Sequence, residues 1–186
     1  MIFRHFLTSN NESNAFIAAC GETHRALLVD AGAFDRSMAE FLERNGLVLT
    51  HVFITHDHFD HTDALRDIAR KYAPEIFSGS GHAGGMATRT MGHGDELRIG
   101  SLTGKVLSVP GHTPDGVCLR LPGMVFTGDA LFAGSIGGTP TSSLAEQLKE
   151  GIRRHIFTLP PDTELHTGHG PSSTVAIESR HNPFFV

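Results

Sequence analysis

The sequence has no long hydrophobic run, no cluster of basic residues and only two cysteines. A membrane-spanning helix needs about 18 or more apolar residues in succession, so we expect no association with a membrane. The apolar part of the first nine residues is too short for a secretory signal, which favours a cytoplasmic location. Because the net charge is -5 and basic residues are scattered, we expect no binding to nucleic acid.

The two cysteines, Cys20 and Cys118, are far apart and each lies within an apolar stretch. Buried free thiols are the interpretation we favour, with a single disulfide as the alternative. Hydrophobic residues make up 39% of the 186 residues and charged residues 19%, which is typical of a globular protein. This length predicts one domain, covering residues 1–186. Histidine is unusually frequent, with 13 residues whose positions need an explanation.

Apolar runs between turn residues predict ten strands, at 1–7, 14–20, 25–30, 47–55, 75–78, 96–99, 102–109, 117–121, 124–127 and 164–167. Helical spacing of apolar residues predicts three helices, at 36–45, 62–72 and 143–157. Ser143 and Glu146 fit a capping box at the start of the third helix. Strands interspersed with helices favour an α/β layered architecture over a helical bundle or a pure β-sandwich.

The segment from Ser78 to Gly94 contains six glycines, which predicts a loop or a short, loose helix. It carries His82 and His93, both candidates for the border of a substrate site. Histidines in exposed loops are more often simply solvated, so the roles of these two stay open.

The sequence THDHFDH, at residues 55–61, places three histidines and two aspartates directly after a short apolar run. In extended backbone, side chains at i and i+2 point the same way, so His56 and His58 can bind one ion. Asp60 and His61 are then free to face a second ion. Imidazole and carboxylate suit zinc, and also iron or manganese. The pattern His-x-His-x-Asp-His is expected by chance roughly 0.003 times in a chain of this composition.

Three later segments repeat this arrangement, in which an apolar run and then a small residue precede a candidate ligand. They are VLSVPGH, which ends at His112, VFTGD, which ends at Asp129, and LHTGHG, which contains His169. All four clusters follow the end of a predicted strand, where open sheets place their binding crevices. The preceding glycine permits a tight or positive-φ backbone that lets the next side chain reach inward. Singly, each residue is more often a turn former or cap, but together with THDHFDH they predict a metal site.

These motifs resemble the metallo-β-lactamase superfamily over nearly the whole chain. The matching segments are VDAG at 29–32, THDHFDH at 55–61, PGHTP at 110–114, FTGDALFAGSIG at 126–137 and TGHGPSST at 167–174. Within that superfamily, the sequence looks most like the glyoxalase II-like (hydroxyacylglutathione hydrolase-like) hydrolases, particularly a short type with an ending similar to SRHNPFF. The resemblance implies an αββα sandwich and a metal-dependent hydrolase.

The resemblance also implies which residues bind metal. One divalent ion would be held by His56, His58 and His112, and the other by Asp60, His61 and His169, with Asp129 bridging both. Zinc is favoured, with iron or manganese as alternatives. A hydroxide between the ions would attack a small-molecule thioester such as an S-(2-hydroxyacyl)glutathione, and Asp60 would also be catalytic by orienting it. Asp30 would hold a ligand histidine in the right tautomer, although a turn or cap aspartate is an equally good interpretation.

Two features differ from full-length glyoxalase II. That family continues into a C-terminal helical domain that helps to hold glutathione, and we expect this domain to be lacking because the chain ends at Val186. The loop GSIGGTPTS also lacks the basic group of the usual GSIGRTD-like sequence. The metal site is therefore predicted more specifically than the substrate, and the oligomeric state is not predicted.

Two other functions remain as alternatives. The first is a glutathione persulfide dioxygenase with one iron, held at positions corresponding to His56, His112 and Asp129. The sequence IFTLP at 156–160 is compatible with it, but GHG at 168–170 stands where that family tends to have a His-Asp-Tyr-like sequence. The second is a non-catalytic metal-binding protein, which an open site for two ions makes less favourable.

Overall fold

Two six-stranded β-sheets form the centre of the protein in a computed structural model that describes residues 1–186. The first half of the chain contains, in order, β1 (Ile2–Leu7), β2 (Asn14–Ala19), β3 (Arg25–Val29), α1 (Arg36–Arg44), β4 (Val48–Phe53), α2 (Phe59–Thr62), α3 (Leu65–Tyr72), β5 (Glu75–Ser78), β6 (His82–Ala83), β7 (Met86–Ala87) and β8 (Arg89–Thr90). The second half contains β9 (Glu96–Ile99), β10 (Leu102–Ser108), β11 (Val117–Leu121), β12 (Met124–Gly128), β13 (Leu131–Phe132), β14 (Ser135–Ile136), α4 (Ser142–His155), β15 (Glu164–Thr167), β16 (Ser173–Thr174) and α5 (Val175–His181).

Both sheets combine antiparallel and parallel pairs. The first has the strand order β1-β2-β3-β4-β5-β8, antiparallel from β1 to β3 and parallel from β3 to β8. The second has the order β16-β15-β12-β11-β10-β9, in which β12 and β15 are parallel and the other pairs antiparallel. Parallel neighbours end at the same edge of a sheet, so the residues that follow them are brought close together.

Three hydrophobic clusters arrange these elements into four layers. Between the sheets, Phe16 and Phe53 of the first sheet pack with Phe126 of the second. On the outer face of the first sheet, Met38 of α1 and Leu65 of α3 are buried. On the outer face of the second sheet, apolar side chains of α4 and α5 form the third cluster. The order helix, sheet, sheet, helix confirms the predicted αββα sandwich.

All ten predicted strands are present, with bounds that differ by at most two residues. The predicted helix at 62–72 is wrong at its start, because α2 begins at Phe59 and residues 63–64 separate it from α3. Helix α5 was not predicted, since a seven-residue helix with few apolar residues gives little periodic signal. The glycine-rich segment 78–94 forms the short strands β6, β7 and β8 rather than a loose helix.

The predicted capping box at the start of α4 is wrong. Thr141 is the N-cap, and its hydroxyl accepts a hydrogen bond from the backbone N–H of Leu144 at 3.3 Å. Thr141 has the extended backbone of an N-cap, whereas Ser143 lies two positions further on and is already helical. Glu146 instead forms an ion pair with Lys149, one turn along the helix.

Cys20 and Cys118 are both buried and unpaired, which confirms the interpretation as free thiols. The longest helix, α4, has 14 residues, and no helix has the length and apolarity needed to cross a membrane.

The packing of α4 against the second sheet predicts the effect of Leu148→Ala. Leu148 is fully buried in the third cluster, so its truncation should lower the free energy of unfolding by about 2–5 kcal/mol. Gln147→Ala, at an exposed neighbouring position, should change it by no more than about 0.5 kcal/mol. Urea unfolding measures both. Equal effects of the two substitutions would contradict the packing described here.

Candidate metal centre

The candidate ligands meet where strands of both sheets end. His56 follows β4 in the first sheet, while His112, Asp129 and His169 follow β10, β12 and β15 in the second. His58 immediately precedes the short helix α2, which carries the other two candidate ligands, Asp60 and His61. Residues more than a hundred positions apart thus lie together, as the strand-end arrangement predicted.

Four candidate ligands form the first cluster: His56, His58, His112 and Asp129. The Nδ1 atom of His58 lies 3.0 Å from His56 Nε2 and 3.1 Å from His112 Nε2. Asp129 Oδ2 lies 3.8 Å from His56 Nε2 and 3.6 Å from His112 Nε2. With Zn–N bonds of about 2.0–2.1 Å, ligand atoms around a tetrahedral ion lie roughly 3.3 Å apart. The four atoms therefore have a spacing that suits one ion.

Asp60, His61 and His169 form the second cluster. His169 Nε2 lies 3.2 Å from Asp60 Oδ2 and 3.7 Å from Asp129 Oδ2. His61 Nε2 lies 3.4 Å from Asp129 Oδ1. The carboxylate of Asp129 therefore stands between the two clusters, with Oδ1 facing His61 and Oδ2 facing both His169 and the first cluster.

Two buried atoms of this centre have no hydrogen-bond partner. They are His61 Nε2 and Asp129 Oδ1, which face each other. A buried polar atom without a partner costs about 1–3 kcal/mol, so native proteins contain few of them. Coordination of a cation satisfies both atoms, and imidazole nitrogens with carboxylate oxygens suit zinc, iron or manganese. The residues therefore fit divalent ions.

Asp30 orients His61 by bonding to Nδ1, the ring nitrogen that faces away from Asp129. Its Oδ2 accepts hydrogen bonds from His61 Nδ1 at 2.9 Å and from the Thr55 hydroxyl at 2.9 Å, and its Oδ1 accepts one from the Thr55 N–H at 2.8 Å. With its proton on Nδ1, the ring presents the lone pair of Nε2 to the centre. Asp30 thus holds a histidine in the tautomer that a ligand needs, as the resemblance implied. The contribution of Thr55 was not predicted, because a threonine after a strand gives no distinctive signal.

The outer nitrogens of two other histidines also have partners. His112 Nδ1 donates to the carbonyl oxygen of Gly138 at 2.7 Å, and His56 Nδ1 lies 3.0 Å from the hydroxyl of Thr55. Both contacts leave Nε2 free to face the centre. Sequence reasoning missed Gly138, because its contribution is a backbone carbonyl and any residue type supplies one.

The glycines that precede three ligands act in two ways. Gly111 and Gly128 adopt positive φ, of 144° and 50°, which confirms the expectation of unusual backbone there. Gly168 is needed for space, since an added Cβ would overlap Asp129 Oδ1 and lie 3.0 Å from His61 Cε1.

The charges of the centre shift three pKa values. Burial and the charge of His61 lower the pKa of His56 to about 2. Burial also acts to lower the pKa of His61, but Asp30 and Asp129 outweigh it and raise that pKa to about 10. Burial acts to raise the pKa of Asp129, but the adjacent imidazole of His61 lowers it to about 2. The two carboxylates therefore favour positive charge beside His61 Nε2, which a bound divalent cation would supply.

The two histidines of the glycine-rich segment belong to neither cluster. His82 is exposed on β6, and the ring of His93 packs against that of His155 with centroids 4.2 Å apart.

An open cavity of about 290 Å³ adjoins the candidate metal centre, with His112 in its wall. Three prolines, Gly111, Leu144 and Gln147 complete its lining, and none of these residues is charged.

The fold and the paired clusters define a class of protein: αββα sandwiches with histidine and aspartate metal ligands at one edge of the sheets. The sequence profile of the Metallo-beta-lactamase superfamily matches residues 10–181. The chain therefore belongs to the metallo-beta-lactamase superfamily.

Two curated relatives differ in how much of their length the chain covers. It is 33% identical over 148 residues to a hydroxyacylglutathione hydrolase from Chromohalobacter salexigens, a match that covers 78% of this chain and 57% of that protein. It is 30% identical to the probable metallo-hydrolase YqgX from Bacillus subtilis, over 93% of this chain and 92% of that protein. The chain thus spans less than two thirds of the length of the former.

Solved structures share the fold along almost the whole chain. ETHE1 from Myxococcus xanthus has a TM-score of 0.87 and 34% identity, over 98% of this chain and 84% of that one. TTHA1623 in a di-iron-bound form has a TM-score of 0.80 and 26% identity, over 97% of this chain and 99% of that one.

The contacts of Asp30 predict that Asp30→Asn weakens metal binding by about 10- to 100-fold. The asparagine amide has only one oxygen that accepts hydrogen bonds. Its NH2 group would therefore face either the Thr55 N–H or the His61 Nδ1–H, and both of these are donors. Competition with a chelator measures the affinity. Asp63→Asn, an equal change of charge at an exposed position nearby, is the control and should leave the affinity within about twofold. Equal affinities of the two variants would contradict the role of Asp30.

Proposed function

We propose that this protein is a dinuclear metal-dependent hydrolase of small-molecule thioesters, such as S-(2-hydroxyacyl)glutathione. The observation that carries the proposal is the position of the Asp129 carboxylate between two complete ligand clusters. A single metal ion would use only one of them. The similarity to a hydroxyacylglutathione hydrolase supports the choice of substrate class.

The ligand assignment is part of this proposal. His56, His58 and His112 would hold one ion, and Asp60, His61 and His169 the other, with Asp129 shared. Two divalent cations in this site would make hydroxide available at neutral pH and polarise the carbonyl that it attacks. Zinc is the metal we propose, while the similarity to a di-iron protein makes iron the first alternative.

Asp60 has a second proposed role, in orienting the attacking water. Its Oδ2 lies 3.2 Å from His169 Nε2 and accepts a hydrogen bond from Asn11 Nδ2 at 3.3 Å. The Asn11 contact favours the rotation of the carboxylate that keeps this oxygen beside the second cluster. A carboxylate so placed accepts a proton from water and directs its lone pair.

The cavity beside His112 gives the acyl or thiol group of the substrate a place to bind. Because none of its lining residues is a lysine or arginine, an anionic thiol carrier gains no ion pair there. We also propose a single domain and a cytoplasmic location, the latter supported by the two unpaired thiols.

A mononuclear-iron glutathione persulfide dioxygenase is the second candidate, and the similarity to ETHE1 favours it. The same three positions, His56, His112 and Asp129, would hold its iron. The presence of the second cluster, with His61 Nε2 and Asp129 Oδ1 otherwise unpartnered, favours the hydrolase.

Metal analysis combined with three assays distinguishes the candidates. We expect two divalent ions per chain, with hydrolysis of S-lactoylglutathione or coenzyme A thioesters that is lost with chelator and restored by zinc. One iron per chain with oxygen uptake dependent on glutathione persulfide would instead establish the dioxygenase. Metal without turnover of any of these substrates would indicate a binding protein.

Asp129→Ala should abolish hydrolysis, because it removes the one ligand that both ions share. We expect a loss of at least about 100-fold in kcat/KM, since each tenfold corresponds to about 1.4 kcal/mol and a metal ion contributes several. Elemental analysis should show fewer than two ions per chain. Asp162→Ala removes an exposed carboxylate elsewhere and should leave both quantities unchanged. Two fully occupied ions in Asp129→Ala would refute the shared-ligand assignment.

A further inference from the structure

Ser13, which immediately precedes β2, and Asn14, the first residue of β2, are buried polar residues with no part in the proposed chemistry. Ser13 and Asn14 are 1% and 2% exposed, respectively, whereas the rest of β2 is apolar. Buried polar side chains persist where their hydrogen bonds are satisfied. Here those bonds run to the two backbone segments that carry Asp60 and His169.

Asn14 forms three hydrogen bonds with the turn that contains His169. Its Nδ2 donates to the carbonyl oxygens of Thr167 and Gly170, both at 2.9 Å. Its backbone N–H donates to the carbonyl oxygen of Gly168 at 2.7 Å. Its Oδ1 accepts from His5 Nε2 at 2.6 Å, which fixes the rotation of the amide. Three carbonyls of a four-residue turn are therefore bonded to one residue of the other sheet.

Ser13 makes the corresponding contact with the segment of Asp60. Its Oγ donates to the carbonyl oxygen of Asp60 at 2.7 Å and lies 2.8 Å from the hydroxyl of Thr8. Its backbone forms an isolated β-bridge with His169. The two residues together tie both segments to the end of one rigid strand. Neither side chain forms a hydrogen bond with His56, His58 or His112.

The residue type at position 14 is constrained by these contacts. Two N–H groups must point at two carbonyl oxygens while a third atom accepts from His5, and a primary amide provides this combination. Aspartate would place oxygens against carbonyl oxygens, and leucine would remove the Nδ2 donor of both carbonyls in a buried site.

We infer that Ser13 and Asn14 are positioning residues for the second ion, holding Asp60 and His169 at the separation that shared coordination requires. This inference rests on the proposed dinuclear centre. The role is selective for the second ion, because the two side chains bond to the segments of Asp60 and His169 and to no residue of the first cluster. Partners outside the ligands typically contribute a factor of about 10–100 to metal affinity.

The test is stepwise binding of Co²⁺ and Zn²⁺ to the full chain, followed by visible spectra for cobalt and chelator competition for zinc. We expect the unchanged protein to bind two ions. Asn14→Leu and Ser13→Ala should weaken the second ion by at least about tenfold and leave the first within about twofold. Because Ser13→Ala removes a single hydroxyl, it carries the test if Asn14→Leu does not fold.

Ile17→Ala is the matched control. Ile17 is fully buried on the same strand, and its side chain packs among the residues that face α1 and α3. Thermal unfolding shows whether its loss of stability equals that of the test variants, while its two metal affinities should keep their normal ratio. Hydrogen exchange of the Gly168 and His169 amides should be faster in Asn14→Leu than in Ile17→Ala.

Three outcomes would overturn the inference. If the unchanged protein binds two ions and both test variants keep normal affinity for both, the positioning role is wrong and the proposed function stands. If both ions weaken equally, as general destabilisation would cause, the role is structural only. If the unchanged protein binds fewer than two ions, the dinuclear function fails and this inference fails with it.

Discussion

The structure depends on one buried negative charge, the carboxylate of Asp129, which stands between two groups of imidazoles. A carboxylate taken out of water is stable only where cations or hydrogen-bond donors surround it. Four histidine nitrogens lie within 3.8 Å of its oxygens. Gly168 leaves room for its Oδ1, and the parallel pairing of β12 with β15 brings the ends of these two strands together. The αββα architecture thus places this carboxylate among imidazoles, where a bound divalent cation would neutralise it.

The positions of the buried carboxylates also explain why two neighbouring histidines have different pKa values. The rings of His56 and His61 have centroids 4.4 Å apart, yet the pKa of one is lowered to about 2 and that of the other raised to about 10. His61 lies between Asp30 and Asp129, whereas the outer nitrogen of His56 contacts only the neutral hydroxyl of Thr55. The environment of each ring, and not the residue type, determines its charge.

Secondary structure was predictable where burial imposes a clear pattern. Every strand of four or more residues was predicted, because strands in the middle of a four-layer sandwich form short, almost continuous apolar runs. The errors occurred where local hydrogen bonds determine the structure. The start of α4 at Thr141 depends on which residue remains extended, and α5 is stabilised by contacts such as those of buried Glu178 with Ser173 and Asn182. Such contacts leave no periodic trace in the sequence.

The sequence by itself determined which candidate ligands the chain offers. THDHFDH contains four of them at short spacing, and the glycines after three later strands predicted the three distant candidates. Only the tertiary structure decided how these residues are held: the Asp30 and Thr55 contacts, the Gly138 carbonyl and the link between Asn14 and Thr167, 153 positions apart. The physical reason is that coordination chemistry belongs to residue types, whereas a hydrogen bond between distant segments exists only once packing has brought donor and acceptor within about 3 Å.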